Sequence, residues 1–286
     1  MKLGRWRVER VRPAGVSAVE VWNWPAGEGP LWDLAGAPRV EGFRSAGRPE
    51  REIASLLAVT LAPAIVGMAG HFGTPHVHLG GGLTAIPGLR EELARRTPLP
   101  LSFAAEGRWI HEAGGLALLE GRGSGGGAIL DVGQTSIKGS AGGRRTAWPR
   151  DLSILPRRFI LEDGTSQGAP TESAAAFIAG ALIDLLHGVD AADPALVLGL
   201  PCPLDDDCAL GPCTYGWQGD SELLPRVFAI VDERLHPWSG AEPRVLALND
   251  AELFAESTRH ELRPGPGSAT LCLTLGFGPG GAVLKA

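Results

Sequence analysis

The stretch Ile129-Leu130-Asp131-Val132-Gly133-Gln134-Thr135-Ser136-Ile137-Lys138 decides the reading of this 286-residue chain. It is an apolar strand that delivers an acid, then a small turn with hydroxyls, then a lysine. A carboxylate at a strand end can hold the water shell of a Mg²⁺ ion, Gly133 lets backbone N–H groups approach phosphate, and Thr135 adds a donor. The same pattern also serves a plain β-hairpin with an exposed Asp, so the surrounding segments have to arbitrate.

Working outward, strand-like and helix-like segments alternate. GAILDVG (127–133), SIKGSAG (136–142) and RRTAW (144–148) precede the helical TESAAAFIAGALIDLLHG (171–188). ALVLGLP (195–201), a helical LLPRVFAIVDERL (223–235) and RVLALND (244–250) follow, giving a βββαβαβ order and a mixed sheet covered by helices. ATLCLTLGFGPG and GAVLKA close the chain, and RWRVERV opens it. A helix over 48–70, strand PHVHLGGG, helix GLREELARRT, strand LPLSFAA and helix RWIHEAGGLALLEG come next. Taken as a ring from Ala128 through Ala286 into Met1, the sequence holds two similar α/β halves; taken linearly, the second is split. The only Gly/Ser linker, GRGSGGG at 121–127, would reach about 23 Å extended at ~3.3 Å per residue and reads as a tether. The expected lobes are therefore 108–250, with helix 108–120, linker 121–127 and a sheet from 128, and 1–107 joined with 251–286.

Further polar or glycine-rich turns end apolar strands. Thr274-Leu275-Gly276-Phe277-Gly278-Pro279-Gly280-Gly281 is one, and His78-Leu79-Gly80-Gly81-Gly82-Leu83 lies between a strand and a helix. There N–H groups can meet an anion, or a flat ring can lie on bare backbone. Each alone also suits a hairpin or a cap; three in one chain point to a nucleotide. Leu246-Ala247-Leu248-Asn249-Asp250-Ala251 ends another strand. Its Asp can act as a general base and its Asn can bind a hydroxyl, and the pair equally suits a helix N-cap.

The ordered set DVGQTSIK, LGLPCPLD, ALNDA, TLGFGPGG and HLGGG resembles the ROK-family sugar kinases of the actin-like ATPase superfamily, in circularly permuted order, over most of the chain. Tyr215-Gly216-Trp217 resembles a Gly-Trp common in that family. The resemblance implies a two-lobed actin-like (ribonuclease H-like) α/β fold and ATP and Mg²⁺ as cofactors. It also implies a sugar substrate, a hexose or amino sugar, phosphorylated in line while lobe closure excludes water. Asp131 would serve Mg²⁺ through water; Gly133, Thr135 and Lys138 would serve the phosphates. Gly276, Gly278 and Gly280 would form the second phosphate turn, in the second lobe, where Gly80, Gly81 and Gly82 would flank adenosine. Asn249 would bind a sugar hydroxyl and Asp250 would take its proton.

The family has Gly where Gln134 and Cys202 stand, and its Glu-x-x-His sugar motif and Cys-rich zinc loop have no counterpart. The equivalent stretch offers Glu20, Asn23 and Asp33 as sugar contacts. Without Cys or His between Glu20 and Asp33, no structural zinc is expected, and Trp22, Trp24 and Trp32 would brace the loop instead. Two alternatives stay open: a nucleotide- or sugar-binding sensor without turnover, and another phosphotransferase of the superfamily acting on a carboxylate or phosphate chain.

Composition narrows the partners. A net charge of −6, with Lys2, Lys138 and Lys285 the only lysines, argues against nucleic acid. Arg5, Arg7, Arg10 and Arg12 read as an exposed strand face. Glycine, at 41 residues, is about twice its usual ~7% share and lacks a collagen period. Cys202, Cys208, Cys213 and Cys272 lack metal-site spacing, and residues 1–12 lack a secretory signal, which fits free thiols in the cytoplasm. The charge-free run 53–70 is expected to be a buried core helix and not a membrane span. A homodimer is compatible with the resemblance.

Overall fold

The computed structural model describes residues 1–107, 109–123, 127–155, 171–187, 195–213, 215–217, 219–235 and 242–286. The first strands are β1 (Lys2–Leu3), β2 (Trp6–Arg10), β3 (Val16–Val19), β4 (Pro25–Ala26), β5 (Gly29–Pro30), β6 (His76–Gly80) and β7 (Leu101–Phe103). The later ones are β8 (Ala128–Val132), β9 (Ser136–Ala141), β10 (Arg144–Pro149), β11 (Ala195–Leu200), β12 (Arg244–Asn249), β13 (Ala269–Leu275) and β14 (Pro279–Lys285). The helices are α1 (Leu31–Ala35), α2 (Ala37–Ser45), α3 (Glu50–Phe72), α4 (Leu89–Arg96), α5 (Glu112–Gly121), α6 (Thr171–Leu186), α7 (Leu223–Arg234) and α8 (Asp250–Leu262).

The chain is mixed α/β and divides into two compact units, Met1–Arg12 with Gly115–Asp250, and Pro13–Gly114 with Ala251–Ala286. The first holds a seven-stranded sheet in the order β1-β2-β12-β11-β8-β9-β10. Strands β8, β9 and β10 run antiparallel, while β8, β11, β12 and β2 run parallel. Both β8 and β11 are buried at every residue, as strands covered on both faces must be. Helix α6 buries Ala174, Ala175, Ile178, Leu182 and Leu185 at helical spacing in the core around β8 and β11.

The second unit holds a five-stranded sheet, β3-β14-β13-β6-β7. Here β13, β14 and β3 are antiparallel and β13, β6 and β7 parallel. With β8 and β13 counted as first strands and the chain taken as a ring, both sheets share a third-second-first-fourth-fifth order, which β2 and β1 extend beyond the fifth strand in the first sheet. The charge-free run lies in α3, which ends at Gly73 in the left-handed region (φ 65°). Among the described residues α3 is the one helix long and apolar enough to cross a membrane, and 56% of its apolar window is buried in the protein. Its inward residues, Ile53, Leu57, Leu61, Ile65 and Met68, pack in one core with Val77, Leu79, Leu271 and Leu273.

The expected boundaries need correcting. Residues 1–12 do not join the second lobe: β2 pairs in parallel with β12 from Arg7 to Arg10, and Trp6 packs at a tilt on Phe228, ring centroids 5.0 Å apart, and donates to Asp232 at 2.6 Å. The opening arginines belong to that unit, with Arg5 on Asp232 at 2.6 Å and Arg12 on Asp206 at 2.7 Å. Residues 109–114 of the expected first-lobe helix 108–120 belong to the second unit, where the Gly114 N–H donates to Ser257 at 2.8 Å, and the helix itself starts only at Glu112. Helices α1 and α2 were not expected. The start of helix 108–120, Arg108, and the centre of the tether, residues 124–126, lie outside the described residues.

One face of the second sheet carries a polar row. Ser102 Oγ lies 2.7 Å from His78 Nδ1 and 3.0 Å from His76 Nε2, and His78 Nε2 lies 3.5 Å from Glu261. Phe254 of α8 stacks on the His78 ring at 5.4 Å.

Candidate functional site

In the first unit, β8 carries Asp131 next to its last residue, and β9 sets Lys138 opposite it. The lysine Nζ stands 3.0 Å from Asp131 Oδ2, and the carboxylate is 4% exposed. Between them the Gly133 N–H donates to the Ser136 carbonyl at 3.1 Å. A Cβ on Gly133 would meet that carbonyl at 2.8 Å, so the turn itself needs glycine there.

Three successive carbonyls of this turn are held by side chains or backbone from elsewhere in the unit. The Tyr215 hydroxyl donates to Gly133 O at 2.9 Å, Arg150 Nη1 to Gln134 O at 3.2 Å, and the Arg150 N–H to Thr135 O at 3.0 Å. Arg150 also lies over the Tyr215 ring, 3.6 Å from its centroid. Burial pushes the Tyr215 phenol well up, so it stays a donor. With its carbonyls held, the turn leaves the Thr135 side chain exposed to solvent.

The parallel strands next to β8 end in register with it: Gly199 of β11 pairs with Asp131, and Leu200 pairs with Asn249 of β12. Ligands of open α/β sheets bind outside such carboxyl ends. Asn249 Nδ2 donates to the carbonyls of Leu200 at 3.3 Å and Cys202 at 3.0 Å, fixing the exit of β11. Asp250 is partly exposed and is the first residue of α8, so the residue before the helix is Asn249. The structure thus brings Asp131, Gly133, Thr135, Lys138, Asn249 and Asp250 to one sheet end.

In the second unit, Gly276 and Gly278 form the turn between β13 and β14, and Gly280 lies in β14, its N–H bonded to Thr274 Oγ1 at 3.1 Å. The Ala37 N–H at the start of α2 donates to Gly276 O at 3.0 Å. A Cβ on Gly276 would find its nearest neighbour 4.0 Å away, and one on Gly278 would find Trp32 at 3.8 Å. Packing in the unit does not require glycine at either place. Gly80 and Gly81 differ: a Cβ on Gly80 would strike Phe254 at 2.6 Å, and Gly81 has φ 99° against the Leu275 backbone. Gly82 has open space around it. Gly80 pairs with Thr274, so both glycine turns leave neighbouring parallel strands.

Glu20, Asn23 and Asp33 are exposed, Glu20 and Asn23 after β3 and Asp33 on α1. Backbone bonds shape this stretch, from Leu31 N–H to Trp24 O at 2.8 Å and from Trp32 N–H to Trp22 O at 3.0 Å. Trp24 leans on the end of α3, with His71 at 5.5 Å and Phe72 at 6.1 Å. Arg150 went unnoticed in the sequence. A signal was present, a lone arginine directly after a Trp-Pro strand end, but its partners lie 5 to 65 residues away.

In the first unit Asp131, a buried carboxylate at a strand end with Lys138 across the ladder, fits the water shell of a magnesium ion. In the second unit, by itself, Gly276 and Gly278 leave room that no side chain of that unit fills. Among the described residues no group of three or more His, Cys, Asp or Glu side chains gathers to hold a metal directly. All four cysteines are free and buried.

No protein-family model and no curated protein matches the chain. Among solved structures it is similar to a Ppx/GppA family member from Aquifex aeolicus, at 12% identity over 78% of this chain and 86% of that one, with a TM-score of 0.42. AbyA1, a tetronic acid condensing enzyme, shares 12% identity over 90% and 85% of the two chains, with a TM-score of 0.20. A β-ketoacyl-[acyl carrier protein] synthase III from Thermus thermophilus shares 15% identity over 81% and 84%, also at 0.20. Likeness at these scores carries no argument, and the functional reading rests on strand order and residues.

Proposed function

We propose that this protein is a circularly permuted phosphotransferase of the actin-like type that transfers the terminal phosphoryl group of ATP to a sugar hydroxyl. One observation carries the reading. The two sheets share one order of five strands, and in each the hairpin between the first and second strands is a short turn suited to phosphate, at 133–135 and at 276–278. Apart from β1 and β2, which join the first sheet, starting the ring at β8 makes the strands of the two sheets run consecutively, which supports the permutation.

When bound, Mg²⁺ and ATP supply charge neutralisation and the phosphoryl group. Asp131 would hold the metal's water shell, and Thr135 and Lys138 would bind phosphate oxygens, with Gly133, whose N–H is given to Ser136 O, shaping the turn. Gly276 and Gly278 would offer backbone to phosphate, with Gly280 shaping the turn through its bond to Thr274 Oγ1, and Gly80, Gly81 and Gly82 would lie against adenosine. Asp250 would accept the proton of the attacking hydroxyl. Asn249 would meet a second hydroxyl, and Glu20, Asn23 and Asp33 would contact the remaining ones.

The test is calorimetric binding of MgATP followed by a coupled ADP-release assay over hexoses, amino sugars and polyols. Turnover with one class is expected; no MgATP binding at millimolar concentration would overturn the reading. The missing Glu-x-x-His motif favours a second reading, binding without turnover, which a flat panel with intact MgATP binding would support.

A further inference from the structure

The polar row of the second sheet lies within one unit and has no part in the proposed phosphoryl transfer. His76 and His78 alternate along β6 and so share a face of the sheet, and the ladder sets Ser102 of β7 opposite His78. Strand β7 is an edge of that sheet and Ser102 is half-buried, whereas His78 is 0% exposed. The Ser102 hydroxyl therefore stands between two imidazoles, 2.7 Å from His78 Nδ1 and 3.0 Å from His76 Nε2.

A hydroxyl has one proton, so it donates to one ring and accepts from the other. Glu261 decides which. Its Oε2 faces His78 Nε2 at 3.5 Å, and its Oε1 accepts the Ala105 N–H at 2.7 Å. A carboxylate there draws the His78 proton to Nε2 and leaves Nδ1 as an acceptor, so Ser102 donates to His78. His76 then presents its Nε2–H to the serine oxygen, while its Nδ1 turns to Thr270 Oγ1 at 3.5 Å. Burial holds both imidazoles below their usual range, which keeps them neutral at neutral pH. A hydroxyl held by a neutral base that a carboxylate orients is the arrangement of an activated nucleophile. The separation of His78 from Glu261 is that of a base before substrate arrives.

We propose that Ser102 is a catalytic nucleophile toward small uncharged carboxylic esters, with His78 as its base, His76 as the donor to the oxyanion and Glu261 as a positioning residue. Phe254, stacked on His78, gives the row an apolar neighbour, and the Glu261 carboxylate disfavours an anionic substrate. As the bond from the serine Oγ to the ester carbon forms, the hydroxyl proton passes to His78 Nδ1 and the carbonyl π pair moves onto its oxygen. The His76 Nε2–H shifts from the serine oxygen to that oxyanion. The carbon–alkoxy bond then breaks, and the leaving alkoxide takes the proton from His78. Water repeats the sequence on the acyl-serine: its proton goes to His78, its oxygen bonds to the acyl carbon, and the carbon–Oγ bond breaks as Oγ recovers the proton. One ester and one water become one carboxylic acid and one alcohol.

The full chain is incubated with a fluorophosphonate, without nucleotide, and its peptides are mapped by mass spectrometry beside a urea-unfolded sample. Phosphonylation of Ser102 in the folded protein alone is expected, together with hydrolysis of p-nitrophenyl butyrate that Ser102→Ala abolishes. An unmodified Ser102 overturns the proposal, and so does hydrolysis unchanged in Ser102→Ala. His78→Gln should slow phosphonylation about 10²- to 10⁴-fold, and an unchanged rate also counts against it. Glu261→Gln adds a readout that a purely structural role would not move. The titratable groups facing His78 are Glu261, His76 and the Cys272 thiol, which burial pushes up to about 12 and so leaves uncharged; Glu261 is the one that raises the His78 value. Its removal should shift the pH midpoint of phosphonylation downward, and an unmoved midpoint refutes the positioning role. If the histidine or glutamate variant fails to fold, the mapping of the parent protein decides alone.

Discussion

At the scale of single residues, the glycines of the turns fall into two kinds, and substitution separates them. Gly133→Ala forces a Cβ against the Ser136 carbonyl at 2.8 Å, a backbone neighbour that cannot swing aside. We expect it to lower stability by about 1–3 kcal/mol, read from the urea midpoint. Gly276→Ala meets nothing closer than 4.0 Å. Its stability should stay within about 0.5 kcal/mol of the parent, while calorimetric MgATP affinity drops about tenfold or more, a loss of ~1.4 kcal/mol. Unchanged affinity would mean that no phosphate approaches that turn. For the carboxylates, Asp250→Asn should reduce turnover about 10²- to 10⁴-fold with MgATP binding intact. If more than about a tenth of parental turnover remains, well inside that range, Asp250 only opens α8. Asp131→Asn should instead weaken MgATP binding, because it removes the charge that orients the metal's water shell.

Among the elements, the polar row under α8 sets a pH dependence. Burial is the larger influence on His78 and holds it below the usual imidazole range, with Glu261 pulling the other way and His76 adding to the depression. The fold therefore favours neutral His78. Its contribution is full above the unfolded value of about 6.5 and is lost as the pH falls through the lower folded value. Urea midpoints measured from pH ~7.5 to ~5 should decline more steeply in the parent than in His78→Phe; equal slopes would refute this. Trp24→Ala should cost about 1–3 kcal/mol, since the indole covers the end of α3. Strands β8 and β11 and helices α3 and α6 were legible because each shows a long apolar run or stripe. The membership of β2 was not, because Trp6-Arg7-Val8 alternates identically whichever sheet receives it, and its partner β12 lies more than two hundred residues downstream. α1 and α2 escaped notice because they are short and separated only by Gly36.

For the whole molecule, strand-end acids and glycine turns can be read locally, whereas Tyr215 and Arg150 act on the 133–135 carbonyls through contacts that no local pattern encodes. The tryptophan brace leads to a further expectation: metal analysis of protein purified without added zinc should find well under one zinc per chain, and a chelator should leave the Tm unchanged. About one zinc per chain would show that the brace is insufficient. Tyr215 has another consequence, because it is the only tyrosine in the chain. Its hydroxyl ends on Gly133 O, at the turn proposed to meet phosphate. Replacing tyrosine biosynthetically with a fluorinated analogue would therefore give a single fluorine resonance with no assignment problem, a spectroscopic reporter placed by the fold at the turn where nucleotide arrival should be felt.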